Sequence, residues 1–447
     1  MNIFFISLGC DKNLVDSEHM LGILHESGHR ITDEVETAEI IIINTCCFIH
    51  DAKEESVNTI LEMAEYKKTG VLKALIVTGC MAERYKEEIL TEIPEVDALL
   101  GTASLTQILP VIEEITDGKQ HVHFEPLDQP VNTDTKRILT SGTYSAYLKI
   151  AEGCDKHCTY CVIPAVRGNY RSIPMENLLE EAAYLAEQGV KELILVAQET
   201  TLYGYDLYKE KSLPRLLREL CKIDDLQWIR ILYCYPEEIT EELIEVIRQE
   251  PKICHYLDIP IQHGSDRILK LMGRRTSQED LIRIINQLRE QIPDLILRTT
   301  LITGFPTETE EDHEELKRFV NLMRFDRLGV FTYSKEEDTP AAKLKPQITA
   351  RIKKKRQKEL MQLQQAIVFD RTEQSVGKTY DVLVEGKVAD EENVFIGRTY
   401  MDAPQVDGMI FFSSETELMS GDFVKVMVTG SKYYDLIGEL EKGSIIP

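Results

Sequence analysis

Short apolar runs punctuate the first hundred positions: IFFISL at 3–8, IIII at 40–43 and ALIV at 74–77. Runs of this length, rich in β-branched residues and nearly free of polar ones, read as strands buried on both faces of a parallel sheet. Between the second and third, Val57, Ile60, Leu61 and Ala64 follow i, i+3, i+4, i+7 spacing and predict one face of a helix. The alternation predicts a doubly wound α/β unit over residues 1–118. A polar stretch with two prolines, 119–143, reads as a linker. From residue 144 the chain repeats strand then helix, with candidate strands at 146–150, 193–197, 228–232, 256–260, 296–302 and 327–333. One intervening helical face is Leu281, Ile284, Ile285 and Leu288. Six such units over 144–372 predict a parallel, partial (β/α)6 barrel of the TIM-like kind, with its chemistry at the C-terminal strand ends. Over 375–441 the period becomes two: Val424, Val426 and Val428 alternate with Phe423, Lys425 and Met427. That pattern predicts a small antiparallel, OB-like all-β barrel.

A basic run from Arg351 to Lys358 precedes this last unit. It reads either as an RNA patch or as the solvated side of a helix whose other side carries Ile352, Leu360, Leu363 and Ile367. The composition favours the second. The chain of 447 residues carries 51 basic and 76 acidic side chains, a formal net charge of −25. Such a balance excludes a general nucleic-acid binder, whose affinity comes from Lys and Arg on phosphates. No apolar run approaches the ~18–20 residues of a membrane span, and the start MNIFFISLGC has no basic n-region. The expected location is the cytoplasm, with no membrane partner.

Ten cysteines are present, and in a reducing compartment patterned cysteines point to metal or catalysis before disulfides. CDKHCTYC sets Cys154, Cys158 and Cys161 at C-x3-C-x2-C spacing directly after the first strand of the central unit. A structural zinc site wants four ligands, and apart from His157 inside the loop no fourth stands at matching spacing. Iron–sulfur clusters are held by thiolates in such loops, and three thiolates leave one iron of a [4Fe–4S] cluster open. The alternative is a zinc knuckle. This motif resembles that of the radical S-adenosylmethionine superfamily. The resemblance implies that the open iron binds the amino and carboxylate groups of S-adenosylmethionine, which the reduced cluster cleaves to a 5′-deoxyadenosyl radical. It also implies that Tyr160 packs near the adenine.

Cys10, Cys46 and Cys80 lie far apart in sequence, but SLGC, NTC and TGC each follow one of the first three strands. Strand ends of a parallel sheet line one crevice, so the three thiols are expected to converge on a second [4Fe–4S] cluster. Three separate buried thiols are the alternative. Cys47 should point away, since neighbours on an extended strand face opposite sides. Cys221, Cys234 and Cys254 read as core thiols.

The segments SLGCDKNLVDSE, IINTCCFI, VTGCMAERY, KIAEGCDKHCTYCVIPAVRG, YLDIPIQHGSDRILKLMGRR and LITGFPTETEED together resemble the methylthiotransferase family. The resemblance implies an N-terminal cluster domain, a radical S-adenosylmethionine domain and a C-terminal TRAM domain. One branch of the family modifies a tRNA adenosine; the other modifies an aspartate of small-subunit ribosomal protein twelve. Residues 1–118 carry 8 basic and 22 acidic side chains, and residues 375–447 carry 6 and 13. An acidic terminal barrel repels phosphate and suits a basic ribosomal protein. CDKNLVDSE, AQETTLYG, DAPQVDG and YYDLIG also resemble the ribosomal-protein branch, so no direct tRNA substrate is expected. The chain departs from that pattern at Asp11 (usually Pro), Cys47 and Thr307 (usually Gly) and Glu199 (usually Asp).

Within this family the implied reaction replaces a hydrogen on the aspartate β-carbon by a methylthio group. It needs an electron donor, such as a flavodoxin-type protein, and a sulfur donor. Barrel strand ends are expected to bind S-adenosylmethionine: Gln198 and Glu199 toward its amine, Asp258, Pro260 and Gln262 on DIPIQH, Arg298 toward its carboxylate, and Gly304 and Phe305 after the fifth strand. Each is otherwise a structural barrel residue. Competing functions are a tRNA adenosine methylthiotransferase, a two-cluster electron-transfer protein and a metal-stabilised ribosome-assembly factor.

Overall fold

The first apolar runs become β1 (Asn2–Ser7), β3 (Ile40–Thr45) and β4 (Ala74–Gly79), joined in one sheet by β2 (Arg30–Ile31), β5 (Ala98–Leu100) and β6 (His121–His123). The computed structural model describes residues 1–69, 71–115, 119–131, 136–140 and 142–446. The sheet is parallel throughout, in the order β2-β1-β3-β4-β5-β6. Separate apolar cores cover its two faces, one holding Ile41, Ile43, Ile60 and Val77, the other Ile40, Ile42, Met20 and Ile76. The doubly wound expectation therefore holds, with a topological switch between β1 and β3.

Three details differ. The helix His50–Ala64 buries Ser56, Ile60, Met63 and Ala64 and leaves Leu61 47% exposed, because Met63 takes the inward place. The polar segment HVH, read as linker, is the edge strand β6, where one side needs no apolar partner. Residues 136–140 pack on the helix Asp11–Glu26: the Ile138 amide donates to the Glu18 carbonyl and the Thr140 amide to the Glu18 carboxylate. The predicted end of the first unit at 116–118, and 132–135 and 141 of the predicted linker, lie outside the described residues.

The central unit begins with β7 (Ser145–Lys149), followed by a two-stranded ribbon, β8 (Ala151–Glu152) with β9 (Arg171–Ser172). It continues as β10 (Glu192–Val196), β11 (Trp228–Ile231), β12 (Ile253–Asp258), β13 (Ile296–Thr303) and β14 (Arg327–Thr332). These pair in parallel, in chain order from β7 to β14, and the sheet stays open between its edges. All six predicted strands are present, and Leu281, Ile284, Ile285 and Leu288 are buried.

The last unit is a closed five-stranded barrel of β15 (Thr379–Lys387), β16 (Val394–Thr399), β17 (Ile410–Ser413), β18 (Phe423–Lys432) and β19 (Asp435–Ile446). It is antiparallel except for the β17–β19 pairing that closes it. Val424, Val426 and Val428 point inward, and Met427 is exposed. Phe423 instead stacks edge-on against Trp228 at 4.8 Å. The barrel covers the inner side of the central sheet near its strand starts: fully buried Glu192 accepts from both Arg398 and Arg230, and Tyr256 donates to Asp407. The C-terminal strand ends are left for the first unit.

The basic run is one side of the helix Ala350–Glu373. Arg356 is buried on Glu308, Lys353 donates to the Tyr333 carbonyl, and Leu360 and Ile367 face the core. Arg351, Lys354, Lys355 and Lys358 stay exposed, as the solvated-helix reading expects, but Ile352, expected on the apolar side, is exposed as well because Lys353 and Arg356 take the inward places. Among the described residues no helix is long and apolar enough to cross a membrane.

Candidate functional site

Cys10 caps the helix Asp11–Glu26 after β1, Cys46 follows β3, and Cys80 opens the helix Cys80–Tyr85 after β4. Cys10 and Cys46 thus flank the topological switch, the usual crevice of such sheets. Two glycines make the approach possible. Gly9, at φ +95°, lies so close to Cys46 that a Cβ there would stand 2.8 Å from its Cβ and 3.1 Å from its Sγ. Gly79, at φ +91°, is pressed against Asn44 and the Thr45 backbone, where a Cβ would come within 2.2 Å. Asn13 then knits the three strand ends together: its Nδ2 donates to the Leu8 and Thr45 carbonyls, each at 3.0 Å, and its Oδ1 lies 3.7 Å from Cys80 Sγ.

Cys47 faces the other way, its thiol 3.2 Å from the Cys80 carbonyl within an apolar core. Cys234 and Cys254 are buried and Cys221 half-buried in the body of the central unit.

Cys154, Cys158 and Cys161 occupy the loop after β8, at the β7 end of the central sheet. The loop is shaped by backbone bonds from the Cys154 amide to the Gly168 carbonyl and from the Cys161 amide to the Cys158 carbonyl, with His157 at φ 51°. The Ile163 amide points at Cys161 Sγ, 3.4 Å away.

Neither triad is arranged as a single-ion site. Thiolates around one zinc stand about 3.8 Å apart, from 2.3 Å bonds in a tetrahedron. Among the described residues the one His, Cys, Asp and Glu trio with ligand atoms all within 4.8 Å is Glu114, His121 and His123, an ion-pair group at the β6 edge. Neither cysteine triad is drawn so tight. Burial pushes Cys80 and Cys161 up to about 12 and Cys154 to about 11. Thiols this reluctant to ionise are poor nucleophiles alone, but a bound cationic metal deprotonates them.

A buried polar network runs from Cys80 to Glu152, two residues before Cys154. Arg167 ends the helix Ile163–Arg167 that follows the second triad. Its Nε lies 3.4 Å from Cys80 Sγ, one Nη binds Asp16 at 2.6 Å and Glu152 at 3.0 Å, and the other donates to Asn13 Oδ1. Lys149 bridges the same two carboxylates, and Gln198 donates to Glu152 at 2.7 Å. Burial works against ionising Glu152, but Arg167 and Lys149 outweigh it and hold the carboxyl well below its usual range.

The predicted S-adenosylmethionine contacts fall into three places. Gln198 and Glu199 follow β10 beside the cysteine loop. Apart from Lys156 Nζ at 3.4 Å, nothing among the described residues offers a hydrogen to the fully buried Glu199. Lys156 is shared with Glu237 and Glu238, and Lys211 also meets Glu238 at 2.8 Å, so three carboxylates share two ammonium groups. Burial, and then the neighbouring acids, push Glu199 up to about 7 against the pull of Lys156. Tyr160 and Phe305 belong to one apolar cluster with Ile268, Met272 and Tyr333. Gln262, at φ 73°, bridges to β13 through the Thr300 carbonyl and Ile302 amide, and Gly304 turns under Lys353.

Asp258 and Arg298 satisfy each other instead. They are register partners on β12 and β13, 3.1 Å apart, and Arg298 also meets Asp407 of the terminal barrel. Pro260 contributes its carbonyl, which accepts from Arg274 at 2.8 Å. Sequence reasoning missed Arg274, whose Cζ lies over the Tyr235 ring at 4.5 Å with an Nη 4.0 Å from Cys158 Sγ. It also missed Lys156, Arg167 and Asn13. Arg274 and Arg167 stand in the LMGRR and PAVRG segments that carried the resemblance, and this was the available signal.

Thr307 has φ 70°, a backbone conformation glycine adopts freely, which accounts for the usual Gly there. Asp11 pairs with buried Lys12 at 2.9 Å and accepts from Tyr233, whose ring lies 3.3 Å under the ammonium.

Comparison with known families matches residues 2–101 to the uncharacterized protein family UPF0004, 148–320 to the radical SAM superfamily and 376–440 to the TRAM domain. Among solved structures, the radical S-adenosylmethionine methyltransferase TsrM from Kitasatospora setae aligns with TM-score 0.55 at 13% identity, covering 76% of each chain. That likeness is one of fold. A ribosomal protein uS12 methylthiotransferase RimO from Lachnoclostridium phytofermentans is 65% identical over 99% of this chain and 100% of its own. The one from Clostridioides difficile is 50% identical over 98% and 99%. With identity of this order sustained through all three units, the chain belongs to the RimO family of methylthiotransferases.

Proposed function

We propose that Cys154, Cys158 and Cys161 hold a radical-generating [4Fe–4S] cluster and that Cys10, Cys46 and Cys80 hold an auxiliary one. With S-adenosylmethionine, the chain replaces a β-hydrogen of an aspartate in ribosomal protein uS12 by a methylthio group. The observation that carries this reading is the reach of Arg167, from the helix behind the second cysteine loop, to Cys80 and Asn13 at the strand ends of the first sheet. When bound, the clusters supply one-electron cleavage of S-adenosylmethionine and an open iron site for the sulfur.

The chain's own residues bind and orient. Glu199, whose two carboxylate oxygens accept no hydrogen bond among the described residues, takes the amine of S-adenosylmethionine, and the Gln198 carbonyl, likewise unused, takes a second donor. Tyr160 and Phe305 offer an apolar wall for the adenine. Asp258 and Arg298 are already paired, so their contribution is to fix β12 against β13. An electron donor and a sulfur donor complete the reaction.

The test is anaerobic reconstitution with iron and sulfide, an iron count, and incubation with uS12 peptide, S-adenosylmethionine and a reductant. Eight irons per chain and a peptide mass gain of one CH2S are expected. Zinc in place of iron, four irons only, or modification of tRNA instead of the peptide overturns the reading.

A further inference from the structure

Arg167 reaches from the central unit into the first and lies against Cys80 Sγ, and the cysteine chemistry alone does not require it. It is 2% exposed and leaves from the helix that closes the second cysteine loop. Its fork reaches across the boundary between the first sheet and the central one to Cys80 Sγ, Asn13 and Asp16, and returns to Glu152 beside Gln198.

We propose that Arg167 is a positioning residue for the auxiliary site, fixing Cys80 and holding the two cysteine triads at one separation, with its charge set against the auxiliary cluster. This rests on the reading of the six cysteines as two cluster sites.

The geometry supports both parts. A planar guanidinium presents donors in fixed directions, so four simultaneous partners fix its place and theirs. Asn13, one of those partners, also holds the ends of β1 and β3. A change at the β7 end of the central sheet is thus transmitted to all three strand ends that carry cysteines. Transfer to carbon demands this, because the radical made at one site has to abstract a hydrogen next to the sulfur held at the other. The charge has a separate effect. Asp16 and Glu152 are balanced by Arg167 and Lys149, but only Arg167 touches a cysteine sulfur. A unit charge within about 5 Å of a buried redox centre shifts its equilibrium more than tenfold, and a cation favours the reduced, more negative state.

The full chain with Cys154, Cys158 and Cys161 all changed to Ala and reconstituted with iron and sulfide carries the auxiliary site alone, and its midpoint potential is titrated by electron paramagnetic resonance. Arg167→Gln should lower that potential by at least 59 mV, a tenfold shift for one electron. Arg167→Lys, which keeps charge without the fork, should shift it less. In the otherwise unaltered enzyme, methylthiolated product per 5′-deoxyadenosine should fall at least tenfold in Arg167→Gln and recover only in part in Arg167→Lys. The charge-balanced Arg167→Gln/Asp16→Asn variant covers the case in which the single one misfolds, and it should regain stability and part of the potential without regaining the product ratio.

An unchanged potential and ratio in the iron-loaded variants overturns the proposal. So does full restoration of the product ratio by the balanced double variant, which would reduce Arg167 to the neutralisation of buried acids. If the unsubstituted Cys10, Cys46 and Cys80 take up no iron, the failure lies in the cluster reading instead, and it is visible before any Arg167 variant is made.

Discussion

Replacing Glu199 by Gln probes the pocket beside the cysteine loop most directly. The carboxyl is fully buried, shares one lysine with two other acids, and is pushed up to about 7 from an ordinary value of 4.5. Between those two values the unfolded chain has released a proton that the folded chain keeps. Stability of the metal-free protein therefore falls as pH rises through that window, by about 3 kcal/mol at 1.36 kcal/mol per unit. Glu199→Gln cannot ionise, and urea unfolding of the metal-free variant at several pH values should lack this part of the fall. Ligand binding has the opposite sign, because the amine of S-adenosylmethionine donates to the ionised carboxylate and sheds its ammonium proton to reach the iron. Affinity of the reconstituted protein, measured by titration calorimetry, should weaken at least tenfold per pH unit below about 7. At neutral pH and above, Glu199→Gln should lose roughly 1.5–3 kcal/mol of binding, the usual range for a hydrogen bond to a charged group. Unchanged affinity in the variant, or a flat pH profile in the parent, refutes the assignment of Glu199 to the amine.

Further outcomes are expected elsewhere in the molecule. Cys158→Ala should abolish both 5′-deoxyadenosine and methylthiolated peptide, whereas Cys10→Ala should abolish the peptide product alone; chromatography of both products checks the division. Glu192→Gln leaves Arg398 and Arg230 buried without their shared acid and should cost about 3–5 kcal/mol in urea unfolding at neutral pH. Burial opposes its ionisation, but the two arginines hold the Glu192 carboxyl near 2, so its contribution is present above 4.5 and the gap between parent and variant should close as pH falls toward 2. Thr307→Gly relieves a β-branched residue at φ 70°, and should raise stability by about 1 kcal/mol once the greater freedom of glycine in the unfolded chain is deducted.

The strands were legible wherever burial on both faces wrote an unbroken apolar run, as in β3 and β4, or wherever strand and helix periods alternated, as from β7 to β14. β2, with two residues, and the polar edge strand β6 carry too little pattern to be seen. At the site, cysteine spacing and the rule that parallel strand ends share a crevice were enough to bring Cys10, Cys46 and Cys80 together before any coordinates. The polar residues around them were not legible, because burial of an Arg or Glu depends on partners more than a hundred positions away, such as Arg167 with Asp16 and Asn13. Arg298 shows the same limit from the other side. Its charge suggested a ligand contact, but only the register of β12 on β13 sets Asp258 beside it.

That pattern of internal pairing explains how an acidic chain keeps its functional charges in order. Arg398 of the terminal barrel turns inward to Glu192 and Glu385, while Lys387 and Lys425 are met by Glu417 and Asp381 on their own barrel. Basic groups are thus consumed in docking the barrel and in closing its strands, and the surplus left for solvent is negative. The same accounting repeats at the centre, where Arg167 and Lys149 are matched one for one by Asp16 and Glu152, while the Glu199 pocket keeps an excess of acid. Both surpluses favour positively charged partners at two scales: the cationic S-adenosylmethionine inside, and a basic ribosomal protein, in preference to a polyphosphate, outside.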